Sequence, residues 1–214
     1  MGIKQMFTLV ALVLVTIAAI KSFLPEGAHI GNQNHPASEH KIVIIPMTGI
    51  PEYFLASLER KLEEEHGTDV LVTTALGKGD EMRLPNRDQF SANFLADLGL
   101  DIAKRIHRQN AFIIVLTNED INSTDSGLRY VYSAHFDGVS VVSLARINEM
   151  NFGVIPKVIE IPSMFNKMQT RALKLINKAI GYGVYGYEAS SNIDSVMYGP
   201  IMGPEDLDRI GGWY

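Results

Sequence analysis

Asn177, Lys178, Gly181 and Tyr187 stand at the spacing with which a helix and the turn after it assemble a metal site. In the pattern H-E-x-x-H-x-x-G-x-x-H, two histidines one helical turn apart and a third beyond a glycine turn bind zinc, and the glutamate works on the zinc-bound water. Over Arg171–Met197 the chain reads RALKLINKAIGYGVYGYEASSNIDSVM. In that register Asn177, Gly181 and Tyr187 occupy the ligand positions, Lys178 the glutamate position and Val184 the glycine position, with Gly183 and Gly186 on either side. None of the residues the chemistry needs is present.

Each position has a plainer expectation. Asn177 offers an amide oxygen, a poor zinc donor beside imidazole, and is expected to hydrogen-bond across a cleft. Gly181 has nothing to ligate with and is expected to let Tyr182 or Tyr185 pack close. Tyr187 as a phenolate would hold a metal weakly by itself, so stacking or a hydrogen-bonded phenol is the expectation. Lys178 cannot act as a carboxylate base, and its charge opposes a nearby cation. Against a solvent-facing lysine stands a sharper expectation: the ammonium fills the metal position, held by Asn177 and Tyr187 oxygens.

Other chemistry finds little support. The histidines are His29, His35, His40, His66, His107 and His135. All precede Arg171, and no two are four apart, so no helical ligand pair exists. A compensating site from His135, Asp137 and a distant group is the remaining alternative. With no cysteine there is no thiol nucleophile, disulfide or cysteine-ligated zinc. Ser140 and Ser143 have no visible base partner, and Gly181–Gly186 lacks the lysine and serine of a phosphate loop. A net charge of -5 with no Lys/Arg run argues against nucleic acid.

The elements that must position these residues begin at Lys41. Hydrophobic residues are 46% and charged residues 20% of 214, which suits one globular domain plus an appendage. Lys41–Pro46, Asp69–Thr74 and Ala111–Thr117 read as apolar strands, and Arg129–Phe136 and Val139–Ala145 as a hairpin turning at Asp137–Gly138. Glu52–Glu65 is an amphipathic helix, with Phe54, Leu55, Leu58 and Leu62 on one face and Gly67 as its stop. A long helix is expected over Asn86–His107, capped by Asn86 and burying Phe90, Phe94, Leu98, Ile102 and Ile106. Another is expected over Ser163–Ile180, capped by Ser163, and a short one after Pro204. The order implies a mixed α/β fold. Before it, Met6–Ile20 is an apolar run between Lys4 and Lys21, short of the roughly 20 residues of a comfortable transmembrane helix. It suits a signal anchor or a signal peptide, with the anchor favoured because the cleavage sites are poor. Leu24–His40 reads as a linker. The expected organisation is therefore 1–23 anchor or signal, 24–40 linker and 41–214 domain. That domain would be held at a membrane on the extracytoplasmic side, or secreted or periplasmic after cleavage.

Several segments in order resemble one family, the archaemetzincins, a branch of the metzincin zinc peptidases. KIVIIPMTGIP looks like its opening strand and turn, and NRDQFSANFL, with Arg87 and Gln89, is similar to its R-x-Q-Y segment. IIVLTNEDI at Ile113–Ile121 resembles T-x-x-D-L, and VSVVSLARI at Val139–Ile147 resembles an edge strand ending in S-L-A-R. Arg171-x-x-Lys174-x-x-Asn177 resembles R-x-x-K-x-x-H, with the histidine replaced. Ser195-Val196-Met197 falls where the family has C-x-M, its Met-turn, after a spacer about two residues longer.

The resemblance covers most of Lys41–Tyr214 and implies an α/β (α+β) fold: a mixed sheet, long helices, a Met-turn through Met197 and a short C-terminal helix. It implies zinc in the family, whereas no cofactor is expected in this chain. Two functions follow. One is a non-catalytic, membrane-anchored protein that binds a peptide or protein partner in the former substrate cleft, lined by Val139, Val141, Ser143, Tyr182, Tyr185 and Tyr187. The other is a zinc-dependent metallopeptidase with an unrecognised ligand set. A scaffold that keeps the fold only for packing, as in an envelope complex, is a duller variant of the first.

Overall fold

The computed structural model describes residues 41–123, 128–147 and 161–214. The apolar run and linker of 1–40 lie outside them; among the described residues no helix is long and apolar enough to cross a membrane. In chain order the elements are β1 (Ile42–Pro46), α1 (Glu52–His66), β2 (Val70–Val72), β3 (Phe90–Ser91), α2 (Ala92–Arg105), β4 (Phe112–Thr117), β5 (Ile121–Asn122), β6 (Ser133–Phe136), β7 (Val139–Ser143), α3 (Ile161–Gly183) and α4 (Pro204–Arg209). Five strands form one sheet in the order β2-β1-β4-β7-β6. The first four run parallel, and β6 returns antiparallel to β7 through the hairpin at Asp137–Gly138, where Gly138 takes φ 72°.

The apolar runs are continuous because both sheet faces are covered. Ile42, Ile44, Phe112, Ile114, Leu116 and Val142 point into one core with Phe54, Leu58 and Leu62 of α1 and Ala172, Leu175, Ile176 and Ala179 of α3. Val43, Ile45, Ile113, Val115, Val139 and Val141 point into the other, with Ala92, Leu95, Ala96 and Ala103 of α2. Helix α1 follows the sequence reading and runs one residue further, to His66; Gly67 stops it at φ 60° with its N–H on the Glu63 carbonyl at 2.9 Å.

Helix α2 departs from the reading. It starts at Ala92, where the Ser91 Oγ accepts from the Phe94 N–H at 3.2 Å. Asn86 instead sits in a turn at φ 60°, and Phe90 lies in β3, which pairs parallel with β5. The face turned to the sheet carries small residues: a Cβ on Gly99 would lie 2.6 Å from the Val115 side chain. That close approach turns Phe94 (38% exposed) and Ile106 (37%) outward. Likewise Ser163 is the third residue of α3 rather than its cap.

The position of β7 also differs. It pairs with β4 on one side and β6 on the other, so Val139, Val141 and Ser143 are buried inside the sheet rather than on an edge strand. The edge strand is β6, and among the described residues no strand pairs with its outer side.

Candidate functional site

Helix α3 sends Asn177 and Lys178 to different places, because neighbours on a helix point about 100° apart. Asn177 is 2% exposed and turns toward α1. Its Nδ2 donates to Glu65 Oε2 at 3.0 Å, which leaves Oδ1 to accept from His66 Nε2 at 2.9 Å. With its proton on Nε2, His66 accepts through Nδ1 from the Tyr185 hydroxyl, 3.0 Å away. The Tyr214 hydroxyl donates to the Asn177 carbonyl at 2.8 Å. Tyr185, Tyr187 and Tyr214 stack on one another with ring centroids 4.9 to 5.5 Å apart. Burial raises the Glu65 carboxyl above its ordinary value against the Asn177 hydrogen bond, and it likewise pushes the Tyr185 and Tyr214 hydroxyls up.

Sequence reasoning missed Glu65, His66 and Tyr214. One signal was available: Phe54, Leu58, Leu62 and His66 recur every four residues, so the histidine lies on the apolar stripe of α1 and needs a partner inside.

Lys178 and Tyr182, one turn apart, face β6. Lys178 is 7% exposed, and its ammonium donates to the Tyr198 carbonyl, beside Gly199. It does not go to Asn177 or Tyr187, which corrects the expectation that those oxygens hold it: the Asn177 oxygen is occupied by His66, and Tyr187 lies in the aromatic stack. Burial lowers the Lys178 pKa from its ordinary value. His135 stacks on Tyr182 with centroids 4.7 Å apart. Its Nδ1 lies 2.9 Å from Ser140 Oγ and its Nε2 3.1 Å from Ser133 Oγ. Burial first, and the Lys178 charge second, push its pKa down to about 4. These groups, with Tyr130 and Tyr132 on one side and Pro200 and Ile201 on the other, line a hollow of ≈ 200 Å³.

Between the two faces lies Gly181. A Cβ there would sit 2.4 Å from Met197 Sδ and 2.6 Å from a Tyr214 ring carbon, so the glycine admits Met197 and Tyr214, not Tyr182 or Tyr185. Met197 is 3% exposed in a turn tied by the Val196 N–H to the Trp213 carbonyl at 2.6 Å and by the Met197 N–H to Ser195 Oγ at 3.1 Å.

The positions of the zinc pattern therefore point to different parts of the fold. Asn177 is committed to α1, Gly181 is filled by sulfur and ring, and the group facing the cleft is an ammonium. His135, the histidine of the alternative His135–Asp137 site, has both ring nitrogens within hydrogen-bonding distance of serine hydroxyls. Among the described residues no three His, Cys, Asp or Glu side chains gather closely enough to hold a metal ion.

The remaining resemblance positions are joints of the fold. Asp120 takes both Arg146 Nε at 2.8 Å and a second guanidinium nitrogen at 2.6 Å, with Gln89 Nε2 at 3.0 Å. Arg171, 2% exposed, grips Asp208 through two nitrogens at 2.7 and 2.6 Å. Lys174 donates to the carbonyls of Leu207 and Ile210 at 2.7 Å each, closing the end of α4.

No family profile and no curated protein matches the sequence. Among solved structures, the chain resembles the archaemetzincin of Archaeoglobus fulgidus, crystallised with malonate: TM-score 0.61 and 18% identity over 81% of this chain and 94% of that one. It resembles the archaemetzincin of Methanopyrus kandleri with TM-score 0.61 and 20% identity over 85% and 92%. A zinc-dependent peptidase of Methanocorpusculum labreanum gives TM-score 0.63 and 16% identity over 81% and 95%. The shared property is the fold.

Proposed function

We propose that this archaemetzincin-like fold works as a peptide- or protein-binding module without peptidase activity, held at a membrane by its N-terminal apolar run. The observation that carries the binding reading is the outer edge of β6, unpaired among the described residues, beside the Lys178–His135–Tyr182 hollow. An extended segment adds to such an edge through main-chain hydrogen bonds, and the hollow receives one of its side chains. The reading without catalysis rests on the same hollow, where an ammonium and a histidine hydrogen-bonded to two serines stand among tyrosines. The membrane proposal rests on Met6–Ile20 in the sequence.

The competing reading is a zinc peptidase with a different ligand set, favoured by the likeness to a zinc-dependent peptidase. Metal analysis of the full chain, after equilibration with zinc and desalting, separates the two. Less than stoichiometric metal and no cleavage of a peptide library supports a binding module. One tightly held zinc per chain, with cleavage abolished by chelation, refutes it.

A further inference from the structure

The alternation of β6 decides which of its side chains meet a guest. Ser133 and His135 point to the α3 side, while Ala134 and Phe136 pack on the α2 side. A strand laid along β6 would alternate in the same way, so every second side chain would stand over Lys178 and Tyr182. Lys178 is an unusual floor for such a groove. Its ammonium has three donors, and its hydrogen bonding goes to one carbonyl, that of Tyr198. Among the described residues no carboxylate lines the hollow and Lys178 forms no ion pair. His135 adds no counter-charge, because an imidazole is neutral or cationic. A buried cation with unspent donors and no counter-charge is electrostatically incomplete, and a carboxylate completes it.

We infer that the β6 groove selects an extended acidic peptide, whose central Asp or Glu side chain enters the hollow and pairs with the Lys178 ammonium while its backbone pairs with β6. This rests on the peptide-binding reading above. A side chain is the occupant, rather than a chain terminus, because β6 extends on both sides of His135 and a guest strand would run past the lysine. The aromatic walls, Tyr130, Tyr132 and Tyr182, exclude water from the pair and strengthen it. The preference is therefore for negative charge at one position, flanked by residues that favour extended backbone.

The test uses the full-length protein and a fluorescent Thr/Val peptide, acetylated and amidated, with one central Glu; anisotropy reads its affinity. Replacing that Glu with Gln should weaken binding about tenfold, as should raising the salt for the Glu peptide alone. Lys178→Met should bring the Glu peptide down to the Gln peptide's affinity, while Lys178→Arg keeps the preference. A Gln peptide with an uncapped C-terminal carboxylate should bind no better than its amide. If it binds as tightly as the Glu peptide, the occupant is a chain terminus and the inference is overturned. Equal binding of the Glu and Gln peptides also overturns it and leaves the groove reading standing. If no peptide binds at all, both fall.

Discussion

Gly181 tests whether helix α3 and the Met197 turn are fitted to each other. In a solvent-exposed helix, Gly→Ala gains roughly 1 kcal/mol, because alanine loses less backbone freedom on folding. Here the added methyl would stand 2.4 Å from Met197 Sδ and 2.6 Å from the Tyr214 ring, well inside van der Waals contact. Neither neighbour gives way cheaply: Met197 is 3% exposed, and Tyr214 is pinned by its hydroxyl to the Asn177 carbonyl at 2.8 Å. Forcing a methyl into such a core costs about 1–3 kcal/mol. The two effects leave Gly181→Ala net destabilising by about 1 kcal/mol. Urea unfolding followed through Trp213, which sits next to Tyr214 in the chain, measures it. A double-mutant cycle with Met197→Ala identifies the cause. With the sulfur gone, the penalty should shrink, and the coupling between the two sites should be about 1 kcal/mol. Gly181→Ala that stabilises the parent protein, or a cycle with no coupling, would refute the argument that the glycine exists to admit the methionine.

Three further outcomes are expected. His135 ionises near 6.5 when unfolded but at about 4 in the fold, so the unfolded chain binds the extra proton first. Stability should therefore fall as pH drops from 6.5 through 4, by about 3 kcal/mol in all, and a His135→Asn variant should show a shallower loss in acid denaturation. Asn177→Ala removes one hydrogen bond from each of Glu65 and His66 and should cost about 2–3 kcal/mol in urea, with Asn177→Asp no better because it faces the Glu65 carboxylate. Asp208→Asn removes the carboxylate charge that grips the buried Arg171 guanidinium at two points and should cost about 2 kcal/mol, read as a drop in melting temperature; no change would mean that the ion pair is an ornament of the fold.

The strands and α1 were legible because their signals are strong and local. Ile42–Pro46 and Phe112–Thr117 are apolar on both faces, and the stripe Phe54, Leu58, Leu62 carries its own stop at Gly67. Helix α2 was misplaced because its large apolar residues outweigh its small ones by eye. The sheet instead selects the small ones, since Gly99 and Ala103 allow the helix to lie close. The identity of the edge strand was illegible for another reason. Sequence shows that β6 and β7 pair, but which of them meets β4 is decided by long-range register. At the site, adjacent positions of one helix part ways, because successive residues point about 100° apart. Lys178 and Tyr182 face the hollow, while Asn177 and Gly181 face α1 and Met197. The network of Glu65, His66 and Asn177 joins residues more than a hundred positions apart, and no local pattern reveals it.

The placement of α3 has a consequence for biogenesis. Every strand of the five-stranded sheet lies before residue 144, yet one of its two faces is closed only when α3, at Ile161–Gly183, packs beside α1. A nascent chain that has emerged through β7 can pair its strands while Ile114, Leu116 and Val142 still face water. Parallel pairing and late coverage both slow productive folding and leave apolar surface exposed in the interval. Synthesis of the last quarter of the chain is therefore the step at which this protein is most dependent on chaperones, and stalling there should trap it as an aggregation-prone intermediate rather than a smaller stable domain.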